Sequence, residues 1–186
     1  MRTRSTTASR QQPAPPTLFV CGYPNLWDHI STVQPHLLVS ILGPHDSTPW
    51  PVVTGIPHLH LEIDDVHRPC NGFSHATPAH IRQLIGLLQD WHPERGERLL
   101  AHCWAGSSRS TAAALIAMVV RQPGREMEAA RMLRQAAPQA RPNGLLVQVA
   151  DDVVGLGGRL VEAVAGMPEP RGEAETDLIS LMVGCE

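Results

Sequence analysis

Short apolar runs alternate with longer segments of helical period along most of this chain. Leu18 to Cys21, Leu37 to Leu42, Leu59 to Ile63 and Leu99 to His102 are each bounded by Gly, Pro, Asp or other polar residues, and they predict four strands. Thr77 followed by Pro78 pairs a hydroxyl N-cap with a proline at the first helical position, and Ile81, Leu84, Ile85 and Leu88 then mark the buried face of a helix reaching about Asp90. Ser108 to Arg121 predicts a second helix, rich in Ala and Leu. Glu126 to Ala137 predicts a third, with Met127, Ala130, Leu133 and Arg134 on a partly covered stripe and Pro138 as its stop. Asn143 to Leu156 reads as a last core helix, beyond which Gly155, Gly157 and Gly158 weaken the pattern. Strands alternating with helices imply an α/β fold with a mainly parallel central sheet flanked by helices. Ligands in such folds sit outside the carboxyl ends of the strands.

Composition narrows the class. With 186 residues and 42% apolar content the chain fits one globular domain. The division expected is a disordered leader over residues 1–17, a domain over 18–165, and an acidic tail over 166–186 whose last eleven residues carry no clear pattern. All 15 basic residues are Arg, offset by 18 acids to a net charge of -3, which argues against a general nucleic-acid binder. The bias towards Arg, Ala, Pro and Gly suggests a GC-rich, bacterial source. The most apolar stretch, Ala112 to Val120, is about half a membrane span, so no membrane association is expected. Cys21, Cys70, Cys103 and Cys185 are far apart, with no C-x-x-C pair, which points to a reducing, cytoplasmic setting and away from a disulfide or zinc framework. His58, His60, His67 and His75 show no recognised metal-ligand spacing. No metal and no cofactor is expected.

The chemistry concentrates in Leu99-Leu100-Ala101-His102-Cys103-Trp104-Ala105-Gly106-Ser107-Ser108-Arg109-Ser110, which passes from a strand through a tight loop into a helix. Backbone N–H groups turned inward in such a loop, together with a helix N-terminus, hold a tetrahedral dianion without a metal. Gly106 relaxes the backbone where a side chain would crowd the ligand. Arg109, six residues after Cys103, is spaced to fork onto phosphate oxygens as the loop closes. A thiol among these donors is disposed to ionise and attack phosphorus. Cys and Arg at this spacing are a weak signal alone. The preceding His, the Gly three residues after Cys and the Ser after Arg make it specific.

His102-Cys103-x5-Arg109-Ser110 resembles the signature of the cysteine-dependent protein tyrosine and dual-specificity phosphatases, and looks most similar to small bacterial members with an HCWAG-x-SRS loop. The resemblance covers about residues 18 to 160. It implies a dual-specificity-phosphatase-like fold, Cys103 as nucleophile, and Arg109 as the group that binds phosphate and stabilises the transition state. Trp104, Ala105, Gly106, Ser107 and Ser108 would line the phosphate site, Ser110 would donate its hydroxyl to the sulfur, and His102 would orient the loop. The family's acid is an upstream Asp. Asp64 and Asp65 both follow a strand at its carboxyl end, and alternation aligns Leu59, Leu61, Ile63 and Asp65, which favours Asp65 over Asp64. The loop from Val66 to Ala76 is long enough to act as a flap over the ester.

The pocket positions contain no Lys to meet additional phosphates, which favours a phosphorylated protein or small phosphomonoester with one local charge, phosphotyrosine above all. Trp104, Phe73, Tyr23 and Trp27 are available for aromatic contacts, each also compatible with a core or lid role. Asn143, in Arg141-Pro142-Asn143, either faces the site or caps a helix. Cys21 or Cys70 is a candidate redox partner of Cys103. Two rival readings use the same loop: a catalytically silent phosphate or phosphoprotein-binding module, and a sulfur-transfer enzyme of the rhodanese kind. Gly106 and the Arg109-Ser110 ending favour phosphate over sulfur transfer.

Overall fold

The computed structural model describes residues 15–172 and 177–183. Most of the leader expected over 1–17, and Cys185, therefore lie outside the described residues. Five strands form one sheet in the order β3-β2-β4-β1-β5: β1 (Leu18–Gly22), β2 (Leu37–Leu42), β3 (His58–Glu62), β4 (Leu99–Cys103) and β5 (Ile179–Leu181). The pairs β1–β4, β2–β4 and β2–β3 are parallel, whereas β5 runs antiparallel to β1, with Leu18 opposite Leu181 and Val20 opposite Ile179. The sheet is thus mixed, which corrects the mainly parallel sheet expected from sequence. The cause is β5, a three-residue strand contributed by the segment read as an acidic tail. Ile179 and Leu181 are buried on either side of exposed Ser180, too short an alternation to announce itself.

Six helices complete the described fold: α1 (Leu26–Val33), α2 (Pro78–Gln89), α3 (Arg109–Arg121), α4 (Glu126–Ala136), α5 (Gly144–Val154) and α6 (Arg159–Ala165). Thr77 caps α2, its hydroxyl accepting from the His80 N–H. Neither α1 nor α6 is evident from periodicity. α6 follows three glycines in the left-handed region, Gly155, Gly157 and Gly158, and its cap comes from the preceding helix. The Asp151 carboxylate on α5 accepts from the N–H groups of Gly158, Leu160 and Val161 at 2.6, 2.8 and 3.3 Å.

Strand alternation divides the core. Leu18, Val20, Val39, Ile41, Leu61, Ile63, Ala101 and Cys103 join the large cluster under α2 to α6, in which α3 is buried from Arg109 to Val119. Phe19, Cys21, Leu38 and Leu100 face the other way and pack with Leu26 and Val33 of α1. Cys21 and Cys103 therefore belong to opposite faces of the sheet, which removes the physical basis for pairing them in a disulfide. Burial and the neighbouring Cys103 raise the Cys21 thiol to about 12, leaving it an inert core residue.

Candidate active site

At the carboxyl end of β4 the chain turns through residues 104–108 and enters α3. Gly106 has φ +77°, and a Cβ there would lie 2.5 Å from the Gly22 nitrogen and 2.6 Å from the Cys21 carbonyl carbon, so both conformation and space demand glycine. The loop carbonyls are tied outward: Trp104 O accepts from Tyr23 N–H, Ser107 O from Arg141 N–H and Thr111 Oγ1, and Ser108 O from Thr111 Oγ1 and Asn143 N–H. The N–H groups of residues 104–108 donate to no backbone carbonyl among the described residues. They remain available to an anion seated in the loop.

Cys103 is buried, and its Sγ lies 3.1 Å from Ser110 Oγ on the first turn of α3. Arg109 is only 2% exposed. Its five N–H donors can be accounted for singly. Nη1 donates to Asp46 Oδ2 at 2.6 Å and to the Ile63 carbonyl at 2.8 Å, and Nη2 donates to Asp46 Oδ1 at 2.9 Å. What remains is one Nη2 proton and the Nε proton, and buried Nε has no hydrogen-bond partner. Those two N–H groups form one edge of the guanidinium, a fork matched to two oxygens of a tetrahedral anion. Burial opposes the charge on Arg109, but the bonds to Asp46 and the neighbouring Cys103 and Asp65 outweigh it and raise its pKa.

The two consecutive aspartates have separate environments. Asp64 is buried, and its carboxylate accepts from His45 N–H and Nδ1, each at 3.0 Å, and from Ser74 N–H at 2.9 Å. Burial raises its pKa, but the bonds from His45 and Ser74 prevail and hold it below the usual carboxylate range. Asp64 N–H also donates to the Ser74 carbonyl, so this residue clasps the base of the 66–73 loop. The Phe73 ring stacks on His45 at 4.2 Å. Asp65 instead points to the phosphate loop. Its Oδ1 accepts from Ser108 Oγ at 2.7 Å and Asn143 Nδ2 at 2.8 Å, while Oδ2 lies 4.0 Å from Arg109 Nε. Asn143 combines the two roles left open from sequence: its Oδ1 caps α5 through Leu146 N–H, and its Nδ2 binds Asp65 and the Val66 carbonyl.

The structure thus brings together Cys103, Arg109, Ser110, Ser108, Asp65 and Asn143, and assigns Asp64 to the clasp. Ala105 and Ser107 complete the loop, and Trp104 stands at its rim, 44% exposed and stacked on Tyr23 at 5.8 Å. Trp27 lies on α1, outside these contacts. His102 is fully buried on the opposite face of β4 from Cys103, where Nε2 meets Ser40 Oγ at 2.6 Å. Two participants escaped the sequence reading. Asp46 sits in a short turn after β2, and only its approach to Arg109 across 63 residues of chain gives it meaning. Ser40 lies inside the apolar strand β2, and nothing in the local pattern marks it. No group of three or more His, Cys, Asp or Glu among the described residues is arranged to hold a metal ion.

No family model matches the sequence, and no curated protein matches it. Solved structures do. DUSP15 superposes with a TM-score of 0.60 at 17% identity, covering 84% of this chain and 96% of its own. Human DUSP28 gives 0.57 at 20%, covering 77% and 96%. A human tyrosine phosphatase-like serine/threonine/tyrosine-interacting protein gives 0.59 at 14%, covering 75% and 92%. At these identities the likeness establishes architecture, and activity has to be argued from the site. The chain has the fold of the dual-specificity phosphatases.

Proposed function

We propose that this protein is a cysteine-dependent phosphatase that hydrolyses phosphomonoesters, with protein phosphotyrosine as the preferred substrate. The observation that carries this reading is the set of groups gathered at the carboxyl end of β4: the Cys103 thiol, the Nε/Nη2 edge of Arg109 that Asp46 leaves open, the N–H groups of 104–108 that no backbone carbonyl among the described residues takes up, and the Asp65 carboxyl 4.0 Å from Arg109 Nε. Each has a separate task in a two-step displacement.

In the first step Cys103 Sγ attacks phosphorus, the bond to the ester oxygen breaks, and Asp65 delivers a proton to the departing oxygen. Arg109 and the loop N–H groups hold the three equatorial oxygens as charge redistributes. In the second step water attacks the cysteinyl phosphate, Asp65 takes its proton, and the P–S bond breaks. Ser110 Oγ, 3.1 Å from the sulfur, donates to the leaving thiolate. His102 takes no proton in this scheme, because its ring faces away from the reacting atoms.

Support for phosphotyrosine comes from the loop and its rim. Arg109 is the loop's sole cationic side chain, which suits one phosphate, and exposed Trp104 and Phe73 offer flat apolar surfaces for an aromatic leaving group. The related fold of PTPMT1, solved in complex with PI(5)P at 11% identity and a TM-score of 0.56, makes phosphoinositides the natural comparison substrate. A phosphorylated tyrosine peptide, a phosphorylated serine peptide, PI(5)P and p-nitrophenyl phosphate should be compared with chelator present, for the parent and Cys103→Ser. Turnover of the tyrosine peptide and the nitrophenyl ester, lost in Cys103→Ser, is expected. Binding of phosphate analogues without turnover in the reduced parent would instead make this a phospho-recognition module.

A further inference from the structure

The rim of the site continues into an apolar surface on the α1 side of the sheet, and Tyr23 joins the two. Its N–H donates to the Trp104 carbonyl at 2.9 Å, its ring stacks on the exposed Trp104 indole at 5.8 Å with 21° between the planes, and its hydroxyl donates to the Pro49 carbonyl at 3.0 Å. Gly22 allows this close approach, since a Cβ there would lie 3.2 Å from the Trp104 and Ala105 carbonyl oxygens. Tyr23 is thus held at its backbone and at its hydroxyl, and its ring gives Trp104 a fixed support.

The segment that Tyr23 reaches, residues 47–57 between β2 and β3, contains no charged side chain. Asp46, the acid just before it, is committed to Arg109. Val53 and Ile56 pack inward on the same cluster as Tyr23, whereas Val52 is 79% exposed. Trp27 follows Tyr23 by four residues in continuous helical turns and is 51% exposed. Large apolar side chains left in water beside a ligand site mark an interaction surface. Its continuity with the catalytic rim indicates the occupant, because a protein held in the loop through phosphotyrosine has to pass over that rim. In an extended chain, side chains two residues apart point to the same face and are about 6.6 Å apart along it. That spacing is close to the 5.8 Å between the Trp104 and Tyr23 rings. With the phosphotyrosine ring against Trp104, the side chain two positions away falls on Tyr23 and the 49–52 segment.

We propose that Tyr23, Trp27, Pro49 and Val52 form a docking surface for the substrate protein, one that takes an apolar side chain two positions from the phosphotyrosine. The surface selects among phosphotyrosine sites by the residue beside them. Arg109 and the loop N–H groups cannot make that choice, since they meet the phosphate that all such sites share. This inference deepens the phosphotyrosine reading and rests on it for turnover, whereas peptide binding tests the surface separately.

The test uses two phosphotyrosine peptides, identical except for Leu or Ser at both positions two residues from the phosphotyrosine. Fluorescence anisotropy of labelled peptide reads binding to the full chain with Cys103→Ser, and phosphate release reads kcat/KM in the parent. The Leu peptide is expected to bind and turn over about tenfold better, the effect of burying part of one leucine side chain. Val52→Asp and Trp27→Ser, made in both backgrounds, are expected to reduce that ratio to about twofold or less. A ratio of two peptides on one protein is insensitive to partial loss of folded material. Met127→Ser, exposed on α4 across the sheet, is expected to keep the parent's ratio. Equal binding of the two peptides by Cys103→Ser, or a ratio unchanged by Val52→Asp and Trp27→Ser, would overturn the docking surface. So would a dimer in light scattering that Val52→Asp dissociates, which would give the surface to a second copy of this chain. The expected binding preference in a protein that releases no phosphate would overturn the phosphatase reading alone.

Discussion

Asp46 grips one edge of the Arg109 guanidinium with both carboxylate oxygens, at 2.6 and 2.9 Å, and so determines which edge is left for a ligand. The Ile63 carbonyl completes the hold from the end of β3. A buried arginine that had to find its own orientation on binding would lose part of its binding free energy to ordering. Here the edge is already set.

Asp46→Asn keeps the shape but offers one acceptor in place of two. We expect kcat/KM for p-nitrophenyl phosphate to fall about tenfold or more, with inhibition by inorganic phosphate weakened in parallel, since one charge-assisted bond contributes about 1.5–3 kcal/mol. Unchanged phosphate inhibition would show that Arg109 orients itself without Asp46.

Asp65→Asn and Asp64→Asn should separate chemistry from architecture. Asp65→Asn is expected to lower kcat about 10² to 10⁴-fold while phosphate binding persists. Asp64→Asn should act on stability, because the native carboxylate accepts three bonds. Its folded pKa is depressed, so its contribution is complete above the unfolded value of about 3.9 and is lost as pH falls through the lower folded value. Urea midpoints taken down that acid range should therefore decline less steeply in Asp64→Asn than in the parent. A larger kcat loss in Asp64→Asn than in Asp65→Asn would reverse the roles.

Alongside His58, pushed down to about 4, buried His102 shapes the pH response on the acid side of neutrality. Its folded value of about 3 lies below the unfolded value of about 6.5, so the unfolded chain binds more protons and stability declines as pH falls below about 6.5. From about pH 7 to about pH 5 this single group should remove about 2 kcal/mol, read as a drop in urea midpoint. His102→Gln should make that decline shallower, with His58 supplying the part that remains. An equal decline in both proteins would place the responsible proton elsewhere.

Ser110→Ala tests the second displacement. Its hydroxyl lies 3.1 Å from the sulfur, and removing it should slow breakdown of the phosphorylated cysteine more than its formation. The expected signature is a burst of leaving group followed by a slow steady state, with kcat reduced more than kcat/KM.

Much of this architecture was legible because strand and helix periods dominate the core. The runs at Leu37 to Leu42 and Leu99 to His102 coincide with β2 and β4 to within a residue, and Thr77-Pro78 opens α2. The anion loop could be seen as well, since Gly106, Arg109 and Ser110 are local to Cys103. What escaped depends on distant chain. α6 is capped by Asp151 from another helix, and β5 is stabilised only by pairing with β1. Asp46 and Ser40 acquire their roles through Arg109 and His102, which no local spacing reveals. The alternation that aligned Ile63 with Asp65 pointed towards the loop, yet the difference between Asp64 and Asp65 emerged from their partners, His45 and Ser74 for one, Ser108 and Asn143 for the other.

Every step of the proposed reaction passes phosphate through a covalent bond to Cys103. The direct measurement is rapid acid quenching of the protein during turnover of a phosphotyrosine peptide, followed by mass analysis of the peptide bearing Cys103. We predict a phosphoryl adduct on that peptide, more abundant in Ser110→Ala and absent in Cys103→Ser. Phosphate release with no adduct in either the parent or Ser110→Ala, or retained release in Cys103→Ser, would rule out a cysteinyl-phosphate intermediate.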